Sequence, residues 1–134
     1  MRNIEILKTQ LSPRVTLDKE NNTFEIFGKS GVENAEDFYK KILDWFTDYF
    51  KTPNENTEIV FYLEYLNSAS SVQIGKLLNI FEMNKEKSNI TVNWFCETDD
   101  ETMSEVGKEF KYMFEVQFNL KIIKEDSDNF KFFD

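Results

Sequence analysis

The chain has no histidine, so the side chain most often used as a general base and metal ligand near neutral pH is missing. Its single cysteine, Cys96, cannot form an intramolecular disulfide. Without histidine it cannot build a zinc site or a Cys–His or Ser–His pair either. Only four glycines occur (Gly28, Gly31, Gly75 and Gly107), and none sits in a Gly-rich phosphate loop. No apolar run approaches the length of a membrane span, and the leading MRNIEILKTQLSPR lacks the apolar core of a signal peptide. Basic side chains are outnumbered: 16 Lys and Arg stand against 25 Asp and Glu, for a net charge of −9. That surface repels phosphate backbones and anionic lipid, which excludes nucleic acid and membranes as natural partners. No cofactor and no metal is expected. A soluble, cytoplasmic protein is, and a protein partner with a basic patch suits its charge.

What the chain does hold is apolar and aromatic. Hydrophobic residues make up 40% of it and aromatics 16%, including 14 Phe, enough for one packed core in 134 residues. IEILK reads as a short edge strand. RVTLD and TFEIFG alternate with period two around the turn-rich KENN, which predicts a β-hairpin. Asn34 stands in an N-cap position with Asp37 in the first turn. Phe38, Ile42, Trp45, Phe46 and Tyr49 then recur at helical spacing to about Lys51, before Pro53.

TEIVFYLEYL is apolar at nearly every position, interrupted by Glu64, and predicts a central strand covered by helices on both faces. Val72, Ile74, Leu77, Leu78 and Phe81 mark a second helix running to about Lys87. NITVNWFCE is the next strand, with Cys96 as a small buried hydrophobe. Thr98 and Glu101 have capping-box spacing ahead of a third helix whose seam is Met103, Val106, Phe110 and Met113. FNLKIIKE closes the pattern. The expected fold is therefore α/β: a small single domain, with an N-terminal β-hairpin followed by β/α repeats and a mixed sheet packed with about three helices. Crossovers through helices imply parallel pairing of the later strands. The domain spans 1–124, and 125–134 forms an acidic, Phe-containing tail.

Where the central strand hands over to the second helix stands the hydroxyl cluster NSASS. Ser70 and Gln73 have capping-box spacing, so Ser70 reads as the N-cap of the second helix. Ser68 then remains without a structural duty, at the carboxyl end of a strand, where open α/β sheets build their sites. A phosphate there would meet helix N–H groups and the positive end of the helix dipole. Gly75, costly inside a helix, reads either as close helix–sheet packing or as a smooth patch for a partner's backbone.

YLNSASS, together with FYKKILDWFTDYF upstream and VNWFCETDDETMSEVGKEF downstream, resembles the SiaC family of bacterial regulatory phosphoproteins, over roughly Ile4 to Ile123. The family's Leu-Asn-Thr/Ser segment is matched by Leu66-Asn67-Ser68. The resemblance implies a fold similar to that of STAS domains and a partner-switching signalling protein that is not an enzyme. It further implies a protein kinase and a PP2C-like phosphatase acting on one hydroxyl, and a diguanylate cyclase as output, linked to cyclic-di-GMP and biofilm regulation. The phosphoacceptor carries over to Ser68, with Ser70 and Ser71 as alternates; Leu66, Asn67, Ser68 and Gly75 are the expected partner-binding residues.

Two other readings stay open beside it. One is a small carboxylate-based enzyme in which Glu64, Asp99 and Asp100 hold a divalent cation; capping of the third helix is the plainer explanation of ETDDE. The other is a constitutive protein-interaction module, to which the NFKFFD tail could contribute as a docking strand or a linear motif.

Overall fold

Period-two alternation and helical spacing follow one another along the chain, and the elements form in that order. The computed structural model describes residues 1–123, so the expected tail lies outside the described residues. The elements are β1 (Ile4–Ile6), β2 (Arg14–Asp18), β3 (Thr23–Ser30), α1 (Ala35–Tyr49), β4 (Asn56–Leu66), α2 (Ser68–Met83), β5 (Asn89–Glu97), α3 (Glu101–Met113) and β6 (Gln117–Ile123). They build one six-stranded sheet in the order β1-β2-β3-β4-β5-β6. β1, β2 and β3 pair antiparallel, and β3 through β6 pair parallel. The edge strand, the hairpin and the three β/α steps are all where the sequence pattern puts them.

Each parallel step moves to the next strand in the same direction. Right-handed crossovers of that kind lay every helix on the same face of the sheet. The core confirms it. Phe24 of β3 packs on Trp45, Phe46 and Tyr49 of α1, Phe46 packs on Phe81 of α2, and Trp94 of β5 packs on Phe110 of α3. Ile26, Ile59, Phe61 and Val92 are fully buried on this face. Each such side chain contributes about 2 kcal/mol by leaving water. A buried polar chain, Tyr49 to Thr57 to Ser88, ties α1 to the start of β4 and β5 with hydroxyl contacts of 2.7 Å.

The expectation that helices cover both faces of β4 is not met. Its burial alternates: Thr57, Ile59, Phe61 and Leu63 are buried, Glu58 and Glu64 are exposed, and Val60 and Tyr62 are half-buried. The apolar run is real, but Val60 and Tyr62 face the other side, where their neighbours are the cross-strand residues of β3 and β5.

Helix ends differ in detail. α1 begins as expected, with the Asn34 side chain accepting from the Asp37 N–H, and α2 stops at Met83 rather than near Lys87. α3 is capped by Asp100, whose Oδ1 accepts from the Met103 N–H at 3.0 Å. Thr98, expected in that role, instead donates its hydroxyl to the Ile123 carbonyl at 3.0 Å, tying β5's exit to β6. On the α3 seam Met103 and Phe110 are buried, Val106 is half-buried, and Met113 is 64% exposed.

Candidate functional site

β4 hands over to α2 at Asn67, and asparagine does the capping. Its backbone is extended (φ −80°, ψ 168°), and its side-chain oxygen accepts from the Ser70 N–H at 2.8 Å. Its amide donates to the Val32 carbonyl at 3.0 Å, and its backbone N–H donates to the Ser30 carbonyl at 3.0 Å. One residue thus caps the helix and stitches it to the exit of β3. A cap of this type is worth about 1 kcal/mol.

The Ser70–Gln73 capping box is therefore corrected. Ser70 lies inside the first turn, fully buried, and its Oγ accepts from Ser30 Oγ at 2.8 Å. Ser30 in turn meets the Tyr39 hydroxyl at 2.7 Å, and since Ser30 donates to Ser70, Tyr39 must donate to Ser30. Burial pushes the Tyr39 phenol up to about 12, against the opposing pull of the Ser30 hydrogen bond, so it stays a neutral donor. The physical reason is register: Ser30 lies opposite Leu66, so the first inward-facing residue of α2 meets a hydroxyl rather than the end of its own helix. Gln73 does not reach back either; it is buried and its Oε1 has no hydrogen-bond partner.

Of the cluster's hydroxyls, Ser68 alone is exposed. It is the first residue of α2, while Ser71 is half-buried. Both line an open groove of about 520 Å³ between α2 and α3, as do Leu66, Asn67, Val72 and Gly75. All four residues expected to bind a partner (Leu66, Asn67, Ser68 and Gly75) thus border a single feature. From α3 the groove receives Val106, Phe110 and Met113. Val106 and Met113 were read from spacing as core seam. Their half-buried and exposed positions on the last turns were the only hint that the seam outruns the sheet.

The groove is apolar with a polar mouth. Val72 and Met113 are 58% and 64% exposed, a large apolar surface for adjacent helices of so acidic a chain. Gly75 is half-buried on the groove, and a Cβ there would sit 3.7 Å from Phe110 Cε1, an ordinary contact. Helix packing therefore does not require this glycine. At the mouth, helix geometry leaves the Ser68 and Ala69 N–H groups without intrahelical acceptors, and no acidic side chain lies in the first turn of α2. An anion on Ser68 would meet the positive end of the helix dipole.

The carboxylates considered for a cation do not converge. Asp100 is occupied as a cap, Glu64 and Asp99 are exposed, and among the described residues no three His, Cys, Asp or Glu could hold a metal ion together. Cys96 is buried, and burial raises its thiol above the ordinary value, which keeps it protonated. No described helix is long and apolar enough to cross a membrane.

Comparison with known proteins agrees with this geometry. An uncharacterised protein of Pseudomonas aeruginosa strain UCBPP-PA14 is 22% identical over 112 residues, covering 83% of this chain and 89% of its own length. The structure of SiaC of Pseudomonas aeruginosa superposes with a TM-score of 0.84 at 20% identity, covering 92% of this chain and 100% of that one. A crystal structure of the diguanylate cyclase SiaD in complex with its activator SiaC, from the same organism, matches with a TM-score of 0.83 at 20% identity, over 90% of this chain and 99% of that one. Likeness at this identity carries the fold. The family assignment comes from the model of the SiaC family regulatory phosphoproteins, which matches residues 6–123, and the chain belongs to that family.

Proposed function

We propose that this protein is a cytoplasmic, non-enzymatic partner switch. In this reading the groove between α2 and α3 binds an output enzyme, and phosphorylation of Ser68 controls that binding. The observation that carries it is the position of Ser68: an exposed hydroxyl on the first residue of α2, at the mouth of an apolar groove. A phosphate there adds about −1.5 to −2 charges next to surface that a partner would have to desolvate. Loss of a few kcal/mol suffices for control, since each 1.4 kcal/mol is tenfold in affinity. Ser70 is a poor alternate acceptor because it is fully buried and hydrogen-bonded to Ser30. Ser71, half-buried on the groove wall, is the better second choice.

The output is a diguanylate cyclase in this reading, by analogy with the Pseudomonas aeruginosa SiaC that is described as the activator of SiaD. A protein kinase and a PP2C-like phosphatase set the phosphorylation state. Mass analysis of the protein from its native host tests the modification: an added phosphoryl group should map to Ser68 and vary with growth condition. Pull-down with Ser68→Ala and Ser68→Asp tests the control. Ser68→Ala should bind the cyclase as the parent does, and Ser68→Asp at least tenfold more weakly. If both variants bind alike, the groove is a constitutive docking surface and the switch is wrong.

A further inference from the structure

The helices leave the second face of the sheet to other chemistry. The strand registers place five residues of that face in one row across five strands: Arg14 opposite Phe27, Phe27 opposite Tyr62, Tyr62 opposite Phe95, and Phe95 opposite Lys121. The row reads cation, three aromatics, cation. The Arg14 guanidinium lies 4.5 Å over the Phe27 ring, and the Lys121 amine 5.7 Å from the Phe95 ring centre. Phe27 and Tyr62 meet edge to face at 6.3 Å. Around the Arg14 end a cavity of about 420 Å³ is bounded by Lys8, Arg14, Phe27, Tyr62 and Glu64. On a chain with net charge −9, cations at both ends of an aromatic row are a local reversal of sign.

We propose that the segment 124–134, KEDSDNFKFFD, is the ligand of this row, bound in cis. It lies outside the described residues and beyond the family match, which stops at residue 123. Its pattern complements the row. Glu125, Asp126 and Asp128 come first, Phe130, Phe132 and Phe133 follow, and Asp134 comes last. Carboxylates thus flank aromatics, as the cations Lys121 and Arg14 flank the rings on the sheet. The reach is sufficient. At about 4.8 Å per strand the row is roughly 19 Å long, and eleven residues extend up to about 36 Å. The segment leaves β6 at Ile123, two residues past Lys121, so it starts at the cationic end that its first carboxylates would meet. Phenylalanines on the row shed apolar surface, and the acidic residues pair with cations at both ends. Apart from Glu125, Asp126 and Asp128, the carboxylates nearest this path are Glu25, Glu64 and Glu97, on the same face or its end.

Trypsin acting on the folded full chain reads the docking, because Lys124 and Lys131 lie inside the segment. Loss of the segment, followed by intact mass, should be at least tenfold faster for the triple variant Phe130→Ala, Phe132→Ala, Phe133→Ala than for the parent. Phe95→Ala and Arg14→Glu, which alter the row and leave the segment intact, should accelerate it too, with circular dichroism unchanged. Equal rates for parent and triple variant overturn the proposal, as does a segment that stays protected in both row variants. Protection that vanishes on dilution assigns the segment to a second copy's row and overturns docking in cis.

Discussion

Alanine at two mid-helix glycines should shift stability in opposite directions, although the change of backbone propensity is the same. Gly→Ala inside a helix is worth about 1 kcal/mol of stabilisation where space allows. At Gly75 space allows, since the added Cβ meets only Phe110 Cε1 at 3.7 Å, an ordinary contact; Gly75→Ala should gain about 0.5–1 kcal/mol. At Gly107 the new Cβ would lie 2.5 Å from Trp94 Cδ1, 2.6 Å from Leu120 Cδ1 and 2.7 Å from Trp94 Nε1. Carbon atoms rest at about 3.5–4.0 Å, so α3 must lift by roughly 1 Å or the indole must turn. Trp94 is 1% exposed and its Nε1 donates to the Met103 carbonyl of α3 at 3.1 Å, so turning loosens a buried hydrogen bond. Overpacking costs about 1–3 kcal/mol and a weakened hydrogen bond about 1 kcal/mol. Less the propensity gain, Gly107→Ala should lose roughly 1–3 kcal/mol.

Urea unfolding followed by circular dichroism separates the two: the Gly107→Ala midpoint should fall by about 1 M and the Gly75→Ala midpoint should rise. A Gly107→Ala protein as stable as its parent would refute the close seating of α3 on Trp94. A Gly75→Ala protein that loses more than about 1 kcal/mol would refute the reading that packing leaves Gly75 free. The second variant also probes function, because its methyl group enters the groove. Weaker partner binding by a more stable protein is the expected signature.

Other consequences can be checked on the same protein. Asn67→Ala removes the α2 cap and the bond to the Val32 carbonyl, and should lower unfolding free energy in urea by about 1–2 kcal/mol. Gln73→Met replaces a buried amide whose Oε1 has no partner, and should raise the urea midpoint, by up to about 1 kcal/mol of stability. Tyr39 titrates at 10.0 when unfolded and at about 12 in the fold, so the folded state holds a proton that the unfolded chain releases. Its contribution is complete below pH 10 and lost as pH rises toward 12; unfolding at pH 9 and pH 11.5 should show the drop, and Tyr39→Phe should flatten it. Tyr62, also raised to about 12 by burial and by Glu97, adds a slope of the same sign that remains in that variant.

Element order and type could be read from the chain because each rests on local spacing. Phe38 to Tyr49 recur at helical intervals, and Arg14–Asp18 and Thr23–Ser30 alternate, whatever surrounds them. Ser68 could be found for a similar reason, as a hydroxyl at a strand-to-helix junction. The misreadings all involve partners distant in sequence. Ser70 looked like a cap because the sequence does not reveal Ser30, forty positions earlier and 2.8 Å away. Thr98 lost the capping role to Asp100 because its hydroxyl is drawn to the Ile123 carbonyl. Val60 and Tyr62 suggested a doubly covered strand, since hydropathy alone does not distinguish a helix overhead from aromatic neighbours across the sheet. The groove needed α3's placement beside α2, and the cation–aromatic row needed four registers at once.

The sequential strand order has a consequence for how the molecule is made. Every strand's neighbour is the next one to leave the ribosome, so each β/α step closes a short loop onto a surface already present. The sheet can grow vectorially from the hairpin, and no segment has to wait for a distant partner or thread past an earlier one. The groove matures late under this regime. Its second wall is α3, the last helix of the described chain, and α3 seats on Trp94 and on Leu120 of β6. A nascent chain therefore displays Ser68 before it can display the surface beside it, and binding through that groove is restricted to a finished domain.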